Sequence, residues 1–170
     1  MHLLIVRHAV ALDRDEWKKI SKDDRERPLT EQGANKMKKV AKGLKKTLSS
    51  EPSVVISSSL LRAKQTAELI MNEMPTTNYV ETESLAPEQD PEAFVNFIRS
   101  FATPATDLVA CVGHEPHLNQ LISWLVSKSR KGIGELKKGG ACLLEFDKEV
   151  GAGKASIVWL LTSKQLRELA

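Results

Sequence analysis

The chain has 170 residues, 41% hydrophobic and 28% charged, with a formal net charge of +3. That length suits one domain over residues 1–170 with a real core, and the small positive balance only mildly favours anionic partners. No apolar run approaches the roughly 20 residues that span a bilayer, and Met1-His2-Leu3 opens no basic, apolar leader, so cytoplasm is the expected location and no membrane partner is expected.

Residues 2–7 read as a short buried strand, with Leu3, Leu4, Ile5 and Val6 running into Arg7. Residues 10–29 are charged and irregular, and their place directly after the strand reads as a rim or specificity loop. Thr30 is the predicted N-cap of a helix of about 18 residues, with Gly33 an early imperfection. In it Met37, Val40, Ala41, Leu44 and Leu48 share one face, and most of Lys36, Lys38, Lys39, Lys42, Lys45 and Lys46 fall opposite. The lysines therefore read as a solvated face. No aromatic stacking platform accompanies them, so no nucleic-acid partner is expected.

Residues 53–57 read as a second strand and 60–74 as a helix closed by Pro75. A short strand follows at 79–82, a helix from Pro91 through Phe101, a strand at 108–113 and a helix at 116–127. Residues 128–140 are basic and Gly-rich and read as a mobile loop. Residues 141–147 and 155–162 form a closing hairpin around Gly151-Ala152-Gly153. Strands alternating with helices indicate an α/β layered fold with antiparallel character at its end. Cys111 and Cys142 sit in apolar runs and read as core thiols of a reducing compartment. Four histidines without a Cys/His cluster argue against a structural zinc.

Three strand ends carry the chemistry. Arg7 and His8 end the first. Ser57-Ser58-Ser59 follows the second and leads to Arg62. Gly113-His114-Glu115-Pro116 follows the strand at 108–113. Taken singly, each is an ordinary turn or a surface arginine. Together they occupy the same kind of place, and in open α/β sheets the ligand crevice lies at the carboxyl ends of strands. Cationic groups at buried strand ends need a partner, and a bound anion supplies one.

Ile5-Val6-Arg7-His8-Ala9 resembles the signature that opens the histidine phosphatase, or phosphoglycerate mutase-like, superfamily. Arg27-Pro28-Leu29-Thr30-Glu31-Gln32-Gly33 looks like its first helix start. Ser57-Ser58-Ser59-Leu60-Leu61-Arg62-Ala63-Lys64-Gln65-Thr66-Ala67 resembles its second arginine motif, and Val112-Gly113-His114-Glu115-Pro116 its second histidine motif. The four run in order across roughly residues 1–165, and the short chain with its Arg-Pro-Leu-Thr and Gly-His-x-Pro forms is most similar to the SixA-type phosphohistidine phosphatases. The resemblance implies a three-layer α/β/α sandwich around a mixed, mostly parallel sheet. It implies His8 as a nucleophile that carries a covalent phosphoryl group, with Arg7, Arg62 and His114 completing the catalytic set.

Physical chemistry agrees with those roles. Imidazole must be neutral to attack, and the like charges of Arg7 and Arg62 push His8 below its ordinary pKa of about 6.5. Planar guanidiniums fork the phosphoryl oxygens, and His114, if protonated, adds a donor. Ser58 leads into a helix whose N-terminal dipole would face the same anion. Arg27, beside a motif, is a further substrate-binding candidate. Four cationic side chains do what magnesium does elsewhere, so no metal and no cofactor are expected, and no Walker-type loop is present. His117, one helical step after His114, reads as partly exposed, and His2 has no assigned role.

Larger members of the superfamily place a glutamate downstream of the second arginine to protonate the leaving oxygen. Residues 81–90 hold acids without a clear match, and Glu88 is the candidate general acid. A missing acid suits a phosphoramidate, whose P–N bond is labile and whose leaving nitrogen is readily protonated. The first reading is therefore removal of phosphate from a histidine-phosphorylated signalling protein, such as a histidine phosphotransfer domain. The second is hydrolysis of small phosphorylated metabolites, or a mutase. The third is a non-catalytic phosphate-binding module, which would need no nucleophile.

Overall fold

Residue alternation along the strands decides the layering. The computed structural model describes residues 1–21, 23–103, 106–132 and 134–170; Lys22 of the expected rim loop and Ile133 of the expected 128–140 loop lie outside the described residues. Strand β1 (His2–Arg7) leads to α1 (Arg14–Ile20) and a 3-10 turn (Asp24–Glu26). Then follow α2 (Glu31–Thr47), β2 (Val54–Ser58), α3 (Leu61–Met71), β3 (Tyr79–Thr82), a 3-10 turn (Glu83–Leu85) and α4 (Pro91–Ile98). The chain continues through β4 (Leu108–Gly113), α5 (His117–Ser127), β5 (Ala141–Phe146), β6 (Ala155–Leu161) and α6 (Ser163–Glu168).

The strands form one sheet in the order β3-β2-β4-β1-β5-β6. β1, β2, β3 and β4 pair in parallel, while β5 runs antiparallel to β1 and β6 antiparallel to β5. Successive side chains point to opposite faces. Leu3, Ile5, Ile56, Val109 and Cys111 pack under α4 and α5 with Phe94, Ile98, Leu121 and Leu125. Leu4, Val6, Val55, Ala110 and Val112 pack against Met37, Leu44, Ala67 and Ile70 of α2 and α3 and Leu166 of α6. A sheet covered on both faces explains why β1 and β4 read as continuous apolar runs. Each such large side chain contributes about 1.5–3 kcal/mol by leaving water, which fixes the strand ends where Arg7, His8 and His114 emerge.

Cys111 and Cys142 both oppose Ile5, one on each side of β1. Two strand spacings put them about 10 Å apart, beyond disulfide reach. Both are free and buried, and desolvation pushes the Cys142 thiol up to about 12 and that of Cys111 higher still.

The structure departs from the sequence reading in several places. Residues 10–29 are only partly irregular, since α1 and a 3-10 turn lie within them: Asp13 caps α1 by accepting the N–H groups of Asp15 and Glu16 at 2.8 and 3.2 Å, and Lys18 and Lys19 sit in the last turn, where the helix dipole favours them. Helix α6 was not expected either, although Thr162 and Gln165 form a capping box at its start. β2 lies one residue later than expected, and α3 and α4 stop at Met71 and Ile98. The expected mobile loop at 128–140 is tied down: Arg130 pairs with Asp90 and Glu92 and stands 4.8 Å over Trp124, while Leu136 is buried. Gly33 is a close approach rather than an imperfection. A Cβ there would meet the Val10 carbonyl oxygen at 2.1 Å; that carbonyl accepts both the N–H and the hydroxyl of Thr30, at 3.0 and 3.2 Å. The segment after β1 is thereby fixed against the start of α2.

Candidate active site

Parallel pairing of β1 with β4 sets Arg7 opposite Gly113, so the residues that follow, His8 and His114, leave the sheet side by side. The His8 N–H donates to the Gly113 carbonyl at 3.1 Å, and the two rings stand 4.9 Å apart with planes at 50°. Arg62 enters from the first turn of α3, directly after β2. Together with Arg27 these side chains line a cleft of about 510 Å³. The structure therefore brings together Arg7, His8, Arg27, Arg62 and His114. It does not bring Ser58 or Glu88 to the cleft lining. Ser58 is fully buried, and its Oγ accepts the N–H of Leu60 at 3.4 Å. Glu88 is exposed and lines an adjoining depression with Arg14, Trp17, Lys18, Ser21 and Asp24.

His8 is held in one tautomer. Its Nδ1 lies 2.7 Å from the Ala9 carbonyl oxygen, which accepts only, so Nδ1 carries the proton and Nε2 the lone pair. The Ala9 N–H donates to Thr66 Oγ1 at 3.0 Å, and that hydroxyl donates to the Arg62 carbonyl at 2.7 Å, tying the ring's support to α3. Burial, above all, lowers the His8 pKa to about 3; Arg62, Arg7 and Lys138 add to the shift. The direction matches the sequence expectation, but desolvation leads and the arginines follow.

His114 differs from expectation more sharply. Burial, assisted by His8 and Arg62, takes its pKa to about 2. It is therefore a neutral ring rather than a cation, and neither ring nitrogen has a partner among the described residues. His117 was expected to be partly exposed and is fully buried. It starts α5 on the stripe of Leu121 and Leu125, and desolvation lowers its pKa to about 4. All three rings charge near pH 6.5 in the unfolded chain. Between that value and their folded values the unfolded state binds more protons. Stability is thus complete above about pH 6.5 and falls on acidification, by up to about 1.4 kcal/mol per pH unit for each ring. Urea unfolding at pH 7, 5.5 and 4.5 should show a steadily falling midpoint; a constant midpoint would show that the rings are not buried neutral.

The arginines are gripped by carboxylates that the sequence reading did not single out. Arg7 Nη1 donates to Glu135 Oε1 at 2.8 Å and to the Leu136 carbonyl at 2.7 Å. Arg62, 2% exposed, donates from Nη1 to the Asp24 carbonyl at 2.9 Å and pairs through Nη2 with Asp24 Oδ2 at 3.2 Å. Arg27 Nε donates to Asp24 Oδ1 at 2.7 Å, and its Nη1 to the Leu12 carbonyl at 2.6 Å. The Nε groups of Arg7 and Arg62 are buried without a protein partner among the described residues. Burial lowers the Arg62 pKa to about 10, so it stays charged at neutral pH. Lys138 and Glu115 also line the cleft and were missed, and Arg14 and Asp13 line it from the segment expected to form its rim. Glu115 takes the N–H of Leu136 at 2.9 Å and of Asn119 at 3.3 Å; desolvation raises its pKa. Five cations against two carboxylates make this an anion site. Among the described residues, no cluster of three or more His, Cys, Asp or Glu could hold a metal ion, and no helix is long and apolar enough to cross a membrane.

Comparison with known proteins places this geometry. The model of the histidine phosphatase superfamily (branch 1) matches residues 3–88. An uncharacterized protein of Picosynechococcus sp. is 31% identical over 140 residues, 82% of each chain. The solved structure of the protein histidine phosphatase SixA complexed with tungstate superposes with a TM-score of 0.81 at 22% identity, covering 98% of this chain and 99% of that one. The alpha-ribazole phosphatase from Shigella flexneri does so with a TM-score of 0.74 at 14% identity, covering 96% and 97%. At those identities the likeness is one of fold, a phosphoglycerate mutase-like α/β sandwich. The family match over half the chain, carrying the Arg7-His8 and Arg62 motifs at the cleft, makes the protein a member of the histidine phosphatase superfamily.

Proposed function

We propose that this phosphatase removes phosphate from phosphohistidine on a signalling protein, through a covalent intermediate on His8. The observation that carries the reading is the state of the cleft's carboxylates. Asp13 is committed to capping α1, and the backbone N–H groups it accepts keep its carboxyl below the usual range, hence ionised. Glu115 is engaged by two backbone N–H groups. Glu88 faces the adjoining depression. A cleft without a free acid suits a substrate whose leaving nitrogen takes a proton readily. The fold likeness to SixA supports the same reading.

The chemistry is two in-line displacements. His8 Nε2 attacks phosphorus; the Nε2–P bond forms as the substrate's P–N bond breaks, and the substrate ring, protonated beforehand on its other nitrogen, takes the P–N electron pair and departs as neutral imidazole. Water then attacks phosphorus from the vacated side, the P–Nε2 bond breaks with its electron pair returning to Nε2, both water protons leave on the departing dihydrogen phosphate, and His8 returns to its neutral form with Nδ1–H on Ala9. Arg7, Arg27 and Arg62 hold the equatorial oxygens as charge spreads onto them, and His114 donates its ring N–H.

One observation favours a second reading, a small phosphate-ester phosphatase: Glu115 lines the cleft and is held toward its protonated form. The test is phosphate release from a histidine-phosphorylated phosphotransfer domain beside a panel of small esters. The phosphoprotein is expected to lead by at least about 100-fold in kcat/KM, a difference of about 2.7 kcal/mol in transition-state binding. Good ester turnover with an inert phosphoprotein would overturn the proposal and make Glu115 the acid to test.

A further inference from the structure

We propose that Asp24 is the positioning residue of the phosphoryl clamp: standing outside the cleft, it aims the guanidiniums of Arg27 and Arg62 into it. The inference rests on the proposed anion clamp. Asp24 lines the adjoining depression, whereas Arg27 and Arg62 line the cleft. Its two carboxylate oxygens take one arginine each, Oδ1 with Arg27 Nε at 2.7 Å and Oδ2 with Arg62 Nη2 at 3.2 Å. Its carbonyl takes Arg62 Nη1 at 2.9 Å, and Arg14 Nε stands 3.6 Å from Oδ1. Two like charges that are 8% and 2% exposed would otherwise face each other uncompensated. A carboxylate behind them offsets the repulsion and leaves Arg62 Nε, which has no partner among the described residues, for an anion.

Asp24 is itself held in place. Asp23 caps its 3-10 turn by accepting the Arg25 N–H at 2.8 Å. Trp17 Nε1 donates to the Asp23 carbonyl at 2.9 Å. Arg25 reaches across to Ser59 Oγ at 2.8 Å and pairs with Glu83, joining the turn to the ends of β2 and β3. Cations set in place before an anion arrives need no reorganisation when charge develops, which is where such groups act most strongly.

The test uses tungstate, a tetrahedral dianion, and calorimetric titration of the whole protein. D24N is expected to weaken tungstate binding at least tenfold, and D24E, which keeps the charge but moves it by one methylene, at least threefold. In an R62K background both losses should shrink to the share carried through Arg27, and in an R27K/R62K background to less than about twofold, the non-additivity that contact through the two arginines requires. Equal losses in every background, as from general destabilisation, would overturn the inference, as would undiminished binding by D24N. Should D24N fail to fold, D24E decides: weakened binding at an unchanged unfolding temperature supports the inference, and wild-type affinity overturns it. Tungstate needs no turnover. A wild-type protein that binds it but leaves phosphohistidine intact would refute the proposed function and leave the role of Asp24 standing.

Discussion

His8→Ala is expected to lower turnover by roughly 10⁴-fold or more while leaving the fold and tungstate binding in place. The magnitude follows from the proposed chemistry, in which without the ring there is no atom to carry the phosphoryl group and water would have to attack the substrate unaided. The fold survives for equally local reasons. The backbone of His8 is held by its N–H on Gly113, and the Gly139 N–H donates to the carbonyls of both Arg7 and His8, none of which involves the imidazole. The side chain gives up one hydrogen bond to Ala9 and its contact with His114. Because the buried ring resists protonation, its loss should also flatten the fall of stability below pH 6.5 by one histidine's share. Acid-quenched reactions with labelled substrate should show a phosphoenzyme in the wild type and none in the variant. A variant rate within tenfold of wild type would remove His8 from the nucleophile's role.

The residues legible in the sequence share a cause. Arg7, His8, Arg62 and His114 each stand just after a run buried on both sheet faces, and such runs are visible as unbroken apolar stretches. Their meeting then follows from parallel pairing of β1, β2 and β4. Two of the carboxylate pairings escaped because they join distant chain, Arg7 and Glu135 being 128 positions apart and Arg62 and Asp24 38 apart. No local period encodes such closures. The third, Arg27 with Asp24 three positions away, lay within reach of a local reading. Other misses had a signal. His117, Leu121 and Leu125 lie four apart, so helical spacing alone placed the histidine on the buried stripe of α5. Asp13, with acids behind it and lysines at the far end, is an N-cap signature inside a stretch too charged to show apolar periodicity. Ser58 was misplaced because β2 runs one residue further than expected, which keeps it among buried strand positions instead of at the mouth of α3.

Arg62→Lys carries the second large effect: kcat/KM should fall about 10²–10³-fold although the formal charge is unchanged. Arg62 does two things at once. Its Nη1 and Nη2 are spent on the carbonyl and carboxylate of Asp24, and its buried Nε remains for an anion. A lysine offers one nitrogen on a flexible stem. It either reaches Asp24 and withdraws from the cleft, or faces the phosphoryl group and leaves Asp24 to Arg27 and Arg14 alone. A guanidinium that donates from Nε to oxygens gaining charge in the transition state while its Nη groups are anchored on Asp24 is lost in both cases. The fall should therefore appear mainly in kcat, with a smaller change in KM, because charge on the ground-state phosphoryl group is still met by the lysine, Arg7 and Arg27. Steady-state kinetics on the preferred substrate, with urea unfolding to verify the fold, separates the two parameters. A rise in KM at constant kcat would mean that Arg62 serves ground-state binding alone. Near-normal kinetics would mean that the phosphoryl group is held by Arg7 and Arg27, and that Arg62 is there to carry Asp24.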